Sequence, residues 1–137
     1  MAAISGTFSG NVNWQTSVAI TDGPGHMLGL SEVSGPQTCD DPLWAGVNIY
    51  YWGTADLVQG TGTQSGYWVN KHPEGDEDWG SFQGRITTSG GESIMEGTWE
   101  YTGGSGRFAN IRGGGTYKGH LPSASQIENT WQGEYEL

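Results

Sequence analysis

The chain has 137 residues, with 5 basic and 15 acidic side chains and a formal net charge of −10. This length is typical of one domain, and the acidic balance argues against nucleic acid and anionic membranes as partners, because affinity for phosphate groups comes largely from Lys and Arg. The 7 Trp and 6 Tyr residues argue against disorder, since buried aromatic rings supply a large apolar area. We therefore expect one folded domain over residues 1–137.

The first residues and the cysteine content bear on location. Residues 1–5 contain no basic region followed by an apolar stretch, which a secretion signal requires. No segment has the run of about 18 or more apolar residues that is typical of a membrane helix. Cys39 is the single cysteine, which fits a reducing compartment. These features predict a cytoplasmic protein.

Glycine content and side-chain alternation predict β-structure. The chain contains 25 Gly, and Gly inside a helix costs about 1 kcal/mol relative to Ala. Over residues 4–20 nearly every even position is apolar or Gly and the odd positions are mostly polar, a period of two that is typical of a half-buried strand. The polar face argues against an outer-membrane barrel, whose outer face must be apolar.

Turn signals divide the rest of the chain into further strands. Gly, Pro and Asp cluster between the alternating segments, and the predicted strands cover residues 26–34, 47–58, 67–71, 78–87, 93–101, 111–119 and 127–137. Short strands at this spacing form a sandwich or a barrel. Because Gly at one parity lets strands coil while neighbouring rings cover the bare backbone, we predict an all-β fold, a single antiparallel β-barrel of about eight strands.

No motif predicts a cofactor or a metal site. The acidic tip at residues 74–78 lacks the spacing of a calcium loop, and His26, His72 and His120 lack the spacing of a zinc site. The Gly-rich stretches at 60–62 and 103–106 do not precede a helical pattern, so they do not predict dinucleotide binding. We expect a protein that works without a cofactor.

The second predicted strand offers a candidate acid. His26, Leu28, Leu30 and Glu32 share one of its faces. If the leucines point inward, Glu32 lies in a dry, ring-lined cavity where a carboxyl group is suited to donating or abstracting a proton, and His26 lies at the rim. In the alternative arrangement Glu32 lies in water at the end of the strand.

The third predicted strand leaves its inward face open. Tyr50, Trp52 and Asp56 share one face, whereas Tyr51 and Leu57 share the other. If the first face is internal, it forms a binding wall that carries one acid. If the second face is internal, Asp56 is solvated or caps the Gly-rich loop that follows.

Candidate site residues follow from these alternatives. An interior Arg85 would need an acidic partner such as Glu32 or Asp56, because an unpaired buried charge is heavily penalised, and pairing for stability is the simpler role. The catalytic candidates are Glu32, Asp56 and His26. The ligand-binding candidates are Trp14, Leu28, Leu30, Tyr50, Trp52, Arg85, Trp99, Tyr101, Tyr117 and Trp131.

One motif carries a resemblance to a known family. A strand at 96–102 runs into Gly103-Gly104-Ser105-Gly106-Arg107-Phe108 and then into small residues that contain Arg112-Gly113. This stretch resembles the signature of the allene oxide cyclase and dirigent-like barrels, and residues 56–62, 66–67 and 131–135 look like a bacterial branch of that superfamily. In the motif itself we expect positive φ at the three glycines of the loop, Phe108 as a plug at a barrel end, and Arg107 or Arg112 against a loop carbonyl or an acidic neighbour.

The resemblance implies a calycin-like barrel, often associated as a homodimer or homotrimer, whose cavity takes an apolar molecule. In plant members the cavity steers a cyclisation or a radical coupling. The partner expected for this chain is therefore a small hydrophobic or phenolic molecule, with no nucleic acid and no membrane.

Three functions are compatible with such a barrel. The first is binding of a small hydrophobic or phenolic molecule in an aromatic-lined cavity, with cofactor-free isomerase, cyclase or lyase chemistry if a buried carboxyl group takes part. The second is a non-catalytic, dirigent-like role in which the barrel holds and steers its ligand. The third, ranked last, is an avidin-like vitamin binder, suggested by Gly97-Thr98-Trp99 and Trp131.

Overall fold

The computed structural model describes residues 1–137 and consists almost entirely of β-strands. In chain order the eight strands are β1 Ala2–Ala19, β2 His26–Cys39, β3 Asn48–Val58, β4 Thr61–Lys71, β5 Glu77–Ser89, β6 Glu92–Gly104, β7 Arg112–Ser123 and β8 Gln126–Glu136. Each strand pairs antiparallel with its neighbours in the chain, and β8 pairs with β1, which closes the barrel. The predicted fold class, an all-β antiparallel barrel of about eight strands, is confirmed.

Several strands are longer than the sequence predicts, and the difference is largest for β2 and β4. Strand β2 continues past Gly35 and Pro36 to Cys39, because its end is paired with β1 and with β3. Strand β4 begins at Thr61 rather than at residue 67, and it pairs with β3 along its whole length. Two short 3-10 helices, Pro42–Trp44 and Gly106–Phe108, interrupt the loops after β2 and β6. No helix of the chain has the length and apolar character needed to cross a membrane.

The interior is built from aromatic rings that lie over glycines on neighbouring strands. A side chain at Gly6 would begin 2.5 Å from a ring carbon of Trp131, and one at Gly80 would begin 2.5 Å from a ring carbon of Trp68. The missing side chains therefore provide the space that these large rings occupy. This arrangement explains how a chain rich in both Gly and aromatic residues forms a core.

One end of the barrel is closed by rings from the loops. Phe108 and Trp44 are almost completely buried there, with ring centroids 5.2 Å apart, and the imidazole of His72 stacks on Phe108 at 4.4 Å. The predicted plug at Phe108 is thus confirmed. The plug brings together the loops that follow β2, β4 and β6.

The loop motif differs in detail from its prediction. Only Gly106 has a positive φ, of 57°, whereas Gly103 and Gly104 belong to strand β6 and have none. The two glycines are required for close approach instead, because a side chain at Gly104 would begin 2.5 Å from a backbone oxygen. Arg107 reaches an acidic neighbour as expected, with its Nε donating to Asp76 at 2.9 Å.

A β-bulge divides strand β1 into two parts. Before it, Ile4 and Phe8 are buried in the core, which agrees with the predicted inward even positions. The register with β2 shifts between Val12 and Trp14, and Trp14 then lies opposite Glu32 on the outer face. Because a bulge adds one residue to one strand only, the inward parity of β1 reverses at this point.

Candidate functional site in the barrel interior

The interior of the barrel contains a cavity of about 90 Å³. Every side chain in its wall is uncharged, and most are apolar. The wall is formed by Phe8, Gln37, Ile49, Tyr51, Gln64, Trp68, Asn70, Phe82, Met95, Trp99, Tyr101, Tyr117, Ile127, Asn129 and Trp131. An apolar hollow with a few polar groups is the usual form of a small-molecule site.

Tyr117 crosses the inner wall because two neighbouring strands carry glycine beside it. In register across β4 to β7 lie Gln64, Gly84, Gly97 and Tyr117. A side chain at Gly84 would begin 2.5 Å from the Tyr117 hydroxyl, so the hydroxyl lies directly over that glycine. The ring edge of Tyr117 also meets Phe82, with centroids 6.0 Å apart. The polar end of the tyrosine is thereby held on the strand next to Gln64.

Three polar atoms of the cavity wall have no hydrogen-bond partner. They are Oε1 of Gln64, the hydroxyl of Tyr117 and Oδ1 of Asn129, and all three are buried. A buried polar group without a partner costs about 1–3 kcal/mol, and native proteins satisfy nearly all such groups with protein, water or ligand. These atoms give the cavity unused capacity for hydrogen bonding.

The tyrosines of the wall are kept protonated by their surroundings. Burial raises the pKa of Tyr117 above its usual value. Burial also raises the pKa of Tyr51, with a smaller contribution from Tyr117, and that of Tyr101, with a smaller contribution from the Asp78 carboxyl group. A neutral phenol can donate and accept a hydrogen bond, but it is a poor base.

A chain of hydrogen bonds leads from the cavity wall to a buried acid. Trp131 Nε1 donates to Gln37 Oε1 at 2.8 Å, and Gln37 Nε2 donates to Asn70 Oδ1 at 2.7 Å. Asn70 Nδ2 then donates to Asp78 Oδ1 at 2.9 Å. The donors all point toward Asp78, which fixes the orientation of both amides. Gln37 and Asn70 therefore have partners, in contrast to Gln64 and Asn129.

Asp78 lies behind this wall and is completely buried. Its Oδ2 accepts a hydrogen bond from Trp44 Nε1 at 3.0 Å and lies 2.6 Å from His72 Nε2. The other ring nitrogen of His72, Nδ1, has no partner. A buried carboxyl group is tolerated only when donors surround it, and here they come from β4, the loop after it and the first 3-10 helix.

The structure places four of the predicted ligand-binding residues in the cavity wall, namely Trp99, Tyr101, Tyr117 and Trp131. The other candidates lie on the outer face of the barrel or at its rim. These are Trp14, Leu28, Leu30, Tyr50, Trp52 and Arg85, together with the three catalytic candidates Glu32, Asp56 and His26. Arg85 is exposed and has Glu96 as its cross-strand neighbour.

The inward face of β2 is the one opposite to the leucines. Val33 is completely buried, whereas Leu28 and Leu30 are 46% and 39% exposed. The condition under which Glu32 would lie in a dry cavity is therefore not met. Glu32 instead accepts hydrogen bonds on the outer surface, from Trp52 Nε1 at 3.1 Å and from Asn13 Nδ2 at 3.3 Å.

Strand β3 turns its second face inward. Ile49 and Tyr51 line the cavity, so Tyr50, Trp52 and Asp56 point outward. This settles the alternative that the sequence leaves open, because alternate residues of a strand point to opposite sides.

His26, Asp22 and Asp56 form a cluster at the rim of the barrel. The His26 ring nitrogens lie 2.6 Å from Asp22 Oδ1 and 2.7 Å from Asp56 Oδ1. The hydrogen bond to Asp22, followed by the one to Asp56, raises the pKa of His26 above 6.5. The cluster lies outside the cavity, and it ties the β1–β2 turn to β3.

The local sequence pattern does not single out the buried polar residues in and behind the wall. Gln64 lies in a Gly-rich stretch outside the predicted strands, although its parity matches that of Gly62 and Gly66. Asn129 shares its parity with Ile127 and Trp131, a signal that could have identified it. Asn70 precedes the acidic tip and Asp78 is its last residue, and nothing in the local pattern marks them as buried partners.

Comparison with known proteins supports the fold. No protein-family model and no curated protein matches the sequence. Among solved structures, the chain is similar to a pterocarpan synthase dirigent protein, with a TM-score of 0.54 and 15% sequence identity over 100% of this chain and 87% of that one. The chain thus has a dirigent-like barrel fold.

Proposed function

We propose that this protein binds one small, uncharged molecule inside the barrel, without covalent chemistry, and that the molecule is an aromatic ring bearing a hydroxyl group. The observation that carries the proposal is the set of three partnerless polar atoms, on Gln64, Tyr117 and Asn129, in an otherwise aromatic wall. Rings in the wall favour a flat apolar guest. The free polar atoms favour a guest that carries a hydroxyl donor.

The volume of the cavity limits the guest to about one ring. One water molecule needs roughly 10–15 Å³, and an apolar cavity of about 150 Å³ accommodates benzene. At about 90 Å³, this cavity holds several waters or one small organic molecule whose entry displaces a flexible wall residue. Met95 is such a residue, because its unbranched side chain adapts to irregular gaps. The alternative occupant is water alone.

The electrostatics of the interior favour a neutral guest. No cationic side chain lines the wall, and the Asp78 carboxyl group lies behind Asn70. A carboxylate ligand would lose its hydration without gaining a partner charge, and the net charge of −10 opposes its approach. We therefore favour phenols over fatty acids and other organic acids.

The chemistry of the cavity wall favours binding of the guest without catalysis. The wall contains no carboxyl group and no histidine, and its tyrosines are protonated, so no general base faces the guest.

Ligand binding can be measured with phenol, benzene and benzoate, using the fluorescence of the wall tryptophans. We expect phenol to quench at lower concentration than benzene, and benzoate to have no effect. In Tyr117→Phe we expect the affinity for phenol to fall by about tenfold, as the loss of one hydrogen bond predicts, while the affinity for benzene is retained.

The matched control is Tyr50→Phe, which removes the same hydroxyl from the outer face of β3. It should leave phenol binding unchanged. The proposal is wrong if none of the three probes binds, if benzoate binds as well as phenol, or if the two tyrosine variants behave alike.

A further inference from the structure

Small apolar residues surround the side-chain amide of Gln64 on the inner wall. On its own strand the nearest residues of the same face are Gly62 and Gly66. Its cross-strand partners are Ala55 on β3 and Gly84 on β5. None of these four residues has a polar side chain, and the buried Oε1 of Gln64 has no hydrogen-bond partner. The amide is therefore available to a guest in the cavity.

A carboxamide offers more than one acceptor atom to such a guest. It carries an acceptor oxygen and a donor nitrogen on the same carbon atom. The Gln37 amide uses both atoms within the protein, since its Oε1 accepts from Trp131 and its Nε2 donates to Asn70. A guest that offers Gln64 only a hydroxyl donor pairs with the oxygen and leaves the nitrogen without a partner. Full pairing requires a donor and an acceptor on adjacent atoms of the guest.

We propose that the guest carries a lactam edge, which is an N–H group bonded directly to a C=O group within a flat ring, and that Gln64 binds this edge. The ring N–H donates to Oε1 of Gln64, and Nε2 of Gln64 donates to the ring carbonyl. The inference rests on the proposed function, because it requires a flat, neutral guest in the cavity. A lactam is the tautomer of a ring hydroxyl beside a ring nitrogen, and its N–H replaces the phenolic hydroxyl as the donor.

Tyr117 supplies a further donor on the same side of the cavity. Its hydroxyl lies over Gly84, the β5 partner of Gln64, and it has no hydrogen-bond partner. A carbonyl oxygen has two lone pairs, so it can accept from the amide of Gln64 and from this hydroxyl together. This arrangement favours a ring whose carbonyl lies beside the N–H group over a ring whose carbonyl lies opposite to it.

An aromatic ring beside Gln64 suits the flat shape of a lactam. A side chain at Gly66 would begin 2.7 Å from Cζ of Phe82, so the Phe82 ring covers that glycine. The rings of Tyr51 and Tyr117 meet Phe82 edge-on, with centroids at 5.6 and 6.0 Å. A planar guest can pack against these rings while its edge pairs with the amide. No charge is needed on either side.

The experiment compares α-pyridone with γ-pyridone by titration calorimetry. The two neutral isomers have the same atoms, but only α-pyridone has its N–H beside its C=O. We expect the wild type to bind α-pyridone about tenfold or more tightly, because γ-pyridone leaves one atom of the amide unpaired. In Gln64→Met the two isomers should bind alike. Retained binding of benzene by this variant shows that its cavity is intact.

The matched control is Gln83→Met, which removes the same amide from an exposed position on the outer face of β5. It should keep the preference for α-pyridone. If phenol binds but the wild type does not distinguish the two isomers, the lactam edge is wrong while the proposed function stands. A preference that persists in Gln64→Met would also overturn the inference. If neither phenol nor either pyridone binds, the proposed function fails as well.

Discussion

The position of the Tyr117 ring depends on glycines that precede it in the chain by tens of residues. The ring crosses two strands because Gly97 and Gly84 have no side chains in its path, and its hydroxyl comes to lie beside Gln64. The same principle applies to Trp131 over Gly6. At the scale of residues, glycines determine where rings such as Tyr117 and Trp131 can lie.

Gly84→Ala tests this dependence. The added methyl group would begin 2.2 Å from the backbone oxygen of Glu96 and 2.5 Å from the Tyr117 hydroxyl. We expect the free energy of unfolding to fall by about 1–3 kcal/mol, which is typical of overpacking. Gly23→Ala is the control, since nothing lies within 4 Å of the added atom. Urea unfolding measures the free energy of unfolding of both variants. Equal losses in Gly84→Ala and Gly23→Ala would show that the Tyr117 ring does not depend on Gly84.

The raised pKa of His26, at the rim of the barrel, predicts that the stability of the fold depends on pH. Hydrogen bonds with Asp22 and then Asp56 raise the pKa of His26 in the folded chain. Protonated His26 therefore stabilises the fold fully below about pH 6.5, and this contribution disappears as the pH rises through the folded-state pKa. We expect the difference in Tm between wild type and His26→Gln to shrink between about pH 6 and about pH 9.

The exposed His120 on β7 provides the comparison for this measurement. Its imidazole lies 3.5 Å from Glu128 and is more than half exposed, so His120→Gln should change the pH profile far less. A Tm difference for His26→Gln that is constant over the whole range would show that the cluster with Asp22 and Asp56 does not act through protonation.

At the scale of elements, one buried network joins parts of the barrel that are distant in the chain. Trp131 on β8, Gln37 on β2, Asn70 on β4 and Asp78 on β5 are linked by successive hydrogen bonds. Trp44 of the first 3-10 helix donates to the same carboxyl group. Because Asp78 is the common acceptor, it holds the loops that plug this end against the strands.

Asp78→Ala should therefore be strongly destabilising. The change leaves the buried donors of Trp44, Asn70 and His72 without an acceptor, and removal of one partner from such a buried group costs about 3–5 kcal/mol. Denaturant unfolding measures the effect.

The control for that experiment is Asp76→Ala, at an acid only two residues away. Asp76 pairs with the partly exposed Arg107, and exposed ion pairs contribute about 1 kcal/mol or less. If Asp78→Ala is no more destabilising than Asp76→Ala, the network does not hold the plug in the way described here.

At the scale of the whole molecule, closure of the barrel separates a ring-lined interior from a charged outer surface. The pairing of β8 with β1 joins the two ends of the chain and shields a neutral, ring-lined interior. The charged side chains lie mostly outside, and their balance is strongly acidic. In the function proposed above, the interior therefore selects its guest by size and neutrality.

The overall fold and part of the site could be predicted from sequence. Trp99, Tyr101, Tyr117 and Trp131 alternate with polar or small residues on strands that have one clearly apolar face, so their inward direction follows from the local pattern. Glu32 could not be placed in this way. Both faces of β2 carry apolar residues, and the choice between Leu30 and Val33 depends on the neighbouring strands rather than on β2 itself.

The amino-acid sequence alone determined that this protein is an antiparallel barrel with an aromatic interior, because alternation, Gly parity and ring content are local properties that act on each strand independently. Tertiary structure decided which faces of β2 and β3 turn inward, where the bulge reverses β1, and which distant side chains meet Asp78. The physical reason is that a strand with two similar faces gains nearly the same burial either way. Its orientation is then set by the register with the neighbouring strands, which places rings such as Trp68, Tyr117 and Trp131 over glycines.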